Sequence, residues 1–397
     1  MVGQSMDAAG AKSRATGGKT HRYIARSRVF ASLILLTLPV FLLFNTAAAQ
    51  GNSIEFDDLA RRASLARESN DIPRALELYG QAVRVNPKWT EGWWFVGQMQ
   101  YGSDSYAAAR DALTHYIDLT PNATAALALR GLSEFEIGEY SQSLADIQRA
   151  LSLGAANQPR NEQILRFHEA LLLTRLRRFE EAVQSYRYFA RNGISSPEIL
   201  AGLGLAGLRT PMLPKEVQVT QQSLFLAAGS ASFQFMAGNE NAAQEAFQGL
   251  FQQFPGSSNA HYLYGYLLFT KDPDKAVAEF KRSMEIEPSN AIAQAMVAWS
   301  YLVRGNASEA APYAERAMKE DPRLPLAQLV SGRALVETGD VRGGIQHLRE
   351  ALQLEPANLE VHLALVRGYS EAGLKEDARR ERQFCLEATK EVTQVAR

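Results

Sequence analysis

Residues 289–322 read SNAIAQAMVAWSYLVRGNASEAAPYAERAMKEDP. The stretch holds two helical patterns, a glycine between them and a proline at its end. Asn290 suits an N-cap, because its side chain accepts from an exposed backbone N–H. Ala298 is small where two helices would cross closely. Gly305 suits the left-handed backbone that closes a helix. Ala310 and Ala317 stand seven apart and share one face of the second helix. Pro322 stops that helix. The stretch predicts a pair of antiparallel helices.

The pattern repeats. Pro288, Pro322 and Pro356 stand 34 residues apart, as do Pro87 and Pro121, and Pro255 precedes Pro288 by 33. Gly305, Gly339 and Gly373 keep the same step. Gly138 and Gly238 hold the equivalent place in their own units, and so does Asn70, the other residue type that tolerates left-handed geometry. A sustained period of this length marks stacked helix pairs, each contacting its neighbours. It predicts an all-α fold, an α-solenoid of about ten units with one degenerate.

The residues at the packing positions resemble the tetratricopeptide repeat. The first unit carries Ala63, Ala75, Tyr79, Ala82 and Pro87, and the second Trp93, Gly97, Ala109 and Pro121. Later units carry Gly265, Ala276, Phe280 and Pro288, then Ala298, Tyr301, Ala310, Ala317 and Pro322. The next has Gly332, Ala351 and Pro356, and the last Tyr369 and Ala378. Tyr116, Ala155 and Gly344 depart from the pattern. The resemblance covers most of the chain after about residue 56.

At 397 residues a length prior suggests two or three domains. A solenoid escapes that prior. An apolar content of 46% with 21% charged residues describes a folded chain. Residues 1–28 carry six Lys/Arg against Asp7 alone, residues 29–44 are apolar, and Ala47-Ala48-Ala49 follows. That order is expected of a signal peptide cut after Ala49, giving an exported, periplasmic or secreted protein of bacterial type. The alternative is an uncleaved anchor over residues 29–49, and membrane contact is expected only then. The remainder holds 36 Lys/Arg and 42 Asp/Glu. This acidic balance argues against nucleic acid as a partner.

The organisation expected is a signal segment over 1–49, a repeat block over 50–193, an irregular joint or degenerate repeat over 194–223, and a second block over 224–397. The joint contains Pro211 and Pro214 and lacks a clear second helix. It also contains Gly202-Leu203-Gly204-Leu205-Ala206-Gly207, a literal dinucleotide fingerprint. That motif needs a strand before it and an acid about 20 residues on. Neither is present, so close helix crossing is the better account.

No other stretch supports catalysis or a metal. His168-Glu169 lacks the second histidine of a zinc-protease helix, since Leu172 stands there, and is expected on a helix surface. Cys385, the single cysteine, sits where repeats place alanine and is expected to pack. No catalytic residue and no cofactor are expected.

The resemblance implies that certain first-helix positions face a concave groove. Carried over by register, these are Trp94, Gln98, Tyr101, Leu132 and Phe135, then Tyr262, Tyr266, Phe269 and Trp299, then Arg333, Glu337, Arg367 and Glu371. The carboxylate-clamp variety of the family is not supported, because Ala60/Ser64 and Trp94/Gln98 occupy two of its paired places. The expected function is an exported protein-binding scaffold in envelope assembly or secretion, holding a protein or peptide in an aromatic groove. The alternatives are polysaccharide handling, with rings stacked on a sugar polymer, and an enzyme with a site near the joint. Packing against adjacent repeats is the competing account of each ring.

Overall fold

The computed structural model describes residues 43–155 and 159–395. The basic and apolar segments expected of a signal peptide lie almost wholly outside these residues. Residues 43–49 begin the first helix. Among the described residues the regular structure is helical throughout, and no helix is long and apolar enough to cross a membrane.

Two compact units are present, one ending at Leu176 and the other beginning at Arg177. The first contains α1 (Leu43–Glu68), α2 (Ile72–Val85), α3 (Thr90–Gly102), α4 (Tyr106–Leu119), α5 (Thr124–Ile137), α6 (Tyr140–Ser152) and α7 (Pro159–Arg175). The second opens with α8 (Phe179–Arg191), α9 (Pro197–Gly207) and a 3-10 turn, Pro214–Glu216. It continues through α10 (Val219–Met236), α11 (Glu240–Gln253), α12 (Ser258–Leu268), α13 (Pro273–Ile286), α14 (Ala291–Leu302) and α15 (Ala307–Glu320). Its last four helices are α16 (Pro325–Thr338), α17 (Val341–Leu354), α18 (Leu359–Glu371) and α19 (Lys375–Val395).

Small residues set the spacing within pairs. A methyl on Gly97, Gly131 or Gly265 would lie 2.7, 2.9 or 2.7 Å from Leu113, Ile147 or Phe280 of the second helix. Ala298, buried completely, holds the same place in α14. In the pair α16–α17 both partners are glycine: a methyl on Gly344 would lie 2.6 Å from the Gly332 carbonyl. The departure of Gly344 from alanine is thus a closer crossing. Asn290 caps α14 by accepting from the Ala293 N–H at 3.2 Å. Gly138, Gly238, Gly305, Gly339, Gly373 and Asn70 all have positive φ, as their shared register requires. Asp104, whose residue type also tolerates it, adopts the same conformation, and Arg177 and Arg209 adopt it without a residue type that predicts it.

A further tie recurs that the packing pattern does not reveal. Six residues after the unit-ending proline, a side chain of the first helix returns to that proline's carbonyl. Trp93 Nε1 donates to Pro87 O at 2.8 Å, Gln294 Nε2 to Pro288 O at 2.5 Å and Gln328 Nε2 to Pro322 O at 2.7 Å. His362 Nε2 stands 3.0 Å from Pro356 O. Each bond satisfies an acceptor at a helix start and fixes the angle at which the next pair begins.

The glycines of residues 202–207 are helical and lie in α9. A methyl on Gly204 would meet the Phe225 carbonyl oxygen at 1.8 Å, and one on Gly229 of α10 the Leu200 oxygen at 1.8 Å. Here two helix backbones touch, and the fingerprint is a crossing motif. His168 is a correction. It is buried, not on the surface: Nδ1 lies 2.8 Å from Ile164 O and the ring meets Phe135 edge-on at 4.9 Å.

Candidate functional site: the first-helix face

First helices of successive pairs touch one another: α3 and α5, α5 and α7, α14 and α16, α16 and α18. Second helices of successive pairs show no comparable contact among the described residues. These first helices therefore line one side of their unit, and the register positions lie on the first helices or at their ends.

In the first unit Trp94 is half-buried and tilted against Tyr116, ring centroids 5.5 Å apart. Gln98 is half-buried beside it. Tyr101 meets Tyr106 edge-on at 5.6 Å, and burial pushes its hydroxyl up to about 12, with Glu136 and Asp104 adding to the effect. Phe135 and Leu132 are buried, Phe135 between Tyr140 and His168. Their rings and methyls belong to the core.

In the second unit Tyr262 and Tyr266 of α12 reach back to α8. The Tyr262 hydroxyl donates to Glu180 Oε1 at 2.7 Å, and Gln184 Nε2 donates to the Tyr266 hydroxyl at 3.0 Å. Arg209 pairs with the same Glu180 and lies over the rings of Phe179 and Tyr262 at 4.9 and 5.4 Å. Tyr262 is 3% exposed. Burial, followed by the Glu180 charge, holds its hydroxyl well above the ordinary range, so it acts here as a donor. Tyr266 and Phe269 are half-buried.

Four residues hold one register position on consecutive first helices: Tyr266, Trp299, Arg333 and Arg367. Trp299 packs against the core of its own pair and against that of the helices that follow. The Arg333 guanidinium lies 5.1 Å over its ring and donates to Leu302 O at 3.2 Å. Arg333 and Arg367 converge on Glu337 Oε1, at 3.2 and 2.8 Å, and Arg367 Nε donates to Glu371 at 2.9 Å. The two arginines that the register assigns to a ligand are thus already held by carboxylates of the chain. Spacing reveals the one-turn pairs 333/337 and 367/371. It does not reveal the bridge from Arg367 of α18 back to Glu337 of α16. Leu363, Glu360 and Val336 complete a pocket of about 220 Å³ beside these arginines.

Among the described residues no group of three or more His, Cys, Asp or Glu is placed to hold a metal. Cys385 is half-buried, and burial pushes its thiol up, with Glu381 contributing. It has none of the electropositive surroundings that activate a thiolate.

Helix pairs repeating at a fixed step, with first helices along one side, define a solenoid repeat scaffold. The tetratricopeptide repeat family model matches residues 61–124 and 128–197, and the helix pairs of those stretches are of tetratricopeptide type. No curated protein matches it. Among solved structures, MamA of Desulfovibrio magneticus RS-1 is 17% identical over 42% of this chain and 93% of that one, with a TM-score of 0.35. A second MamA structure is 14% identical over 44% and 95%, TM-score 0.36. The APC/C hetero-tetramer Cut9-Hcn1 is 14% identical over 84% and 79%, TM-score 0.33.

Proposed function

We propose that this protein is a scaffold that binds a protein partner along the first-helix face of its second unit. The observation that carries the reading is the run Tyr266, Trp299, Arg333, Arg367. These are side chains at one register position on four consecutive first helices, each at least partly accessible. Val303, 52% exposed, caps the end of the same helix, four residues beyond Trp299. Aromatic and arginine side chains dominate protein-binding hot spots, because they bring contact area with few rotors to fix. A photoreactive p-benzoylphenylalanine at position 303 should capture a partner in the native cell, whereas the same group at exposed Leu354 of α17 should not. Equal capture at both positions would remove the reading.

Export belongs to the same proposal. Six basic residues, an apolar run over 29–44 and Ala47-Ala48-Ala49 support a chain cut after Ala49, acting in the cell envelope or outside it. Mass spectrometry of the native protein should find Gln50 as its first residue. An intact chain held in carbonate-washed membranes would favour the anchor.

A further inference from the structure

The last described pair, α18–α19, has an outer face that nothing among the described residues covers. In the pair before it the same face is core. Leu329, Ile345 and Leu348 are 3, 7 and 0% exposed because α18 packs on them, with Val341 and Leu352 at the margin. One repeat later these positions are Leu363, Arg379, Arg382, Lys375 and Leu386. The two leucines are 51 and 53% exposed, and the three cations are exposed. Lys375, Arg379, Arg382 and Leu386 fall at helical spacing and form one row along α19. A solenoid end must be polar to stay in water. The first unit shows how that is done with balanced charge. Ala327 and Val330 of α16 are buried against the preceding pair, and at their register α1 carries Asp58 and Arg61. These two pair at 2.6 Å, and Arg62 reaches the same carboxylate at 3.2 Å. On α19 the charges are not balanced. Lys375, Arg379 and Arg382 make no ion pair among the described residues. The nearby acids are engaged elsewhere: Asp377 with Arg380, Glu381 with His362 at 2.5 Å and Glu387 with Gln383 at 2.6 Å. Glu376 stands exposed in the first turn, where an acid suits a helix N-terminus. A row of one sign without counter-ions, between two exposed leucines, exceeds what solubility requires.

We infer that this end face docks an acidic amphipathic helix of a protein partner, its carboxylates on Lys375, Arg379 and Arg382 and its apolar residues on Leu363 and Leu386. The partner helix takes the place that α18 takes on the pair before it. Charge complementarity selects the occupant. A second copy joined through the same face would set cation against cation, which costs affinity. The face lies apart from the run Tyr266, Trp299, Arg333, Arg367, so the inference does not depend on that run binding anything.

The test titrates the full chain with a stapled helical peptide that carries glutamates and leucines on one face, and with its glutamine counterpart. The acidic peptide should bind saturably, and the counterpart about tenfold more weakly. Arg379→Gln combined with Arg382→Gln should remove a similar factor and leave the melting temperature unchanged, since both side chains are exposed. The difference should shrink as salt rises. Arg282→Gln on α13, at an exposed arginine already paired with Glu285, should have no effect. In the native cell, p-benzoylphenylalanine at position 386 should capture a protein whose cross-linked segment is rich in Asp and Glu. Equal binding of the two peptides, no saturable binding, indifference to the arginine substitutions, or no acidic segment captured at 386 would overturn the inference. A dimer in sedimentation that Leu386→Asp dissociates would give the face to a second copy. Flotation with phosphatidylserine vesicles that the arginine substitutions abolish, in place of peptide binding, would give it to a membrane. Either result overturns the inference. Capture at 386 without capture at 303 would uphold this face and remove the first-helix reading.

Discussion

Arg349 Nε of α17 donates to the Tyr369 hydroxyl of α18 at 2.9 Å, tying the second helix of one pair to the first helix of the next. Lys281 of α13 makes the same tie to Tyr301 of α14 at 3.3 Å, with the same separation of 20 residues. In the first unit the equivalent pair is Thr114 and Glu134. An acid stands where the tyrosine would be, and the cation is missing. Glu134 is 5% exposed, Oε2 has no partner among the described residues, and the nearest guanidinium nitrogen, Arg130 Nε, is 3.8 Å away. That arginine is engaged by Asp146 at 2.5 and 2.8 Å.

Burial therefore pushes the Glu134 carboxyl from 4.5 up to about 7, Asp146 adding to the effect and Arg130 opposing it. A raised carboxyl binds its proton more tightly in the folded chain than in the unfolded one. Its contribution to stability is complete below about pH 4.5 and is lost as pH rises through about 7. Glu134→Gln should remove that loss. Measured by urea denaturation, the variant should gain on the parent between pH 5 and 8, by up to about 2–3 kcal/mol. A difference constant across that range would end the argument. Thr114→Lys should supply the absent cation and bring the carboxyl down.

Glycine supplies a second prediction, with opposite signs at Gly204, in the contact that joins α9 to α10, and at Gly249, outside it. Gly204→Ala drives a methyl into the Phe225 carbonyl, and backbone cannot swing aside as a side chain can. It should cost at least the roughly 1–3 kcal/mol of ordinary overpacking. Gly249 lies in α11 with nothing within 4 Å of an added methyl. Gly249→Ala should stabilise by about 0.5–1 kcal/mol, the usual gain from replacing a mid-helix glycine. Thermal melts of the two variants decide it.

Arg209 offers a third. Its φ of +57° is the conformation that glycine holds elsewhere in the register. It stays there because its guanidinium is fixed on Glu180 and over two rings. Arg209→Ala should lose the contacts and keep the strain, whereas Arg209→Gly should lose the contacts and relieve it. The glycine variant should melt higher than the alanine variant, by about 1 kcal/mol in stability. The reverse order would show that the left-handed turn does not persist once the side chain is cut back.

The architecture was legible because it depends on spacing. A proline every 34 residues, a small residue ten places after it and a left-handed turn between helices are one-dimensional signals, and Gly97, Gly131, Gly265 and Gly332 each face the second helix that spacing assigns. What was hidden depends on which side chains meet across helices. Phe135 and Tyr262 hold the same kind of position as half-buried Tyr101 and Tyr266, yet both are in the core, because His168 and Arg209 close over them. Arg209 itself carries no sequence signal beyond its place after α9. The return bonds to Pro87, Pro288, Pro322 and Pro356 use Trp, Gln and His, so no single residue type marks them.

The last prediction separates packing from binding on the stripe itself. Trp299 touches the core of its own pair and that of the following helices, and supports Arg333 through its ring. Trp299→Ala should therefore destabilise, by roughly 3 kcal/mol, the low end for a truncated buried aromatic because this ring is only partly buried. Arg367 is 52% exposed at its side chain, and its pairs with Glu337 and Glu371 are partly in water. Exposed pairs contribute about 0–1 kcal/mol. Arg367→Gln should leave the melting temperature nearly unchanged while weakening the captured partner by about tenfold, a loss of about 1.4 kcal/mol. Because that share is electrostatic and solvent-exposed, the gap between parent and variant should close as salt is raised. A stripe that served packing alone would give another pattern: Trp299→Ala would lower stability while Arg367→Gln left affinity untouched at every salt concentration.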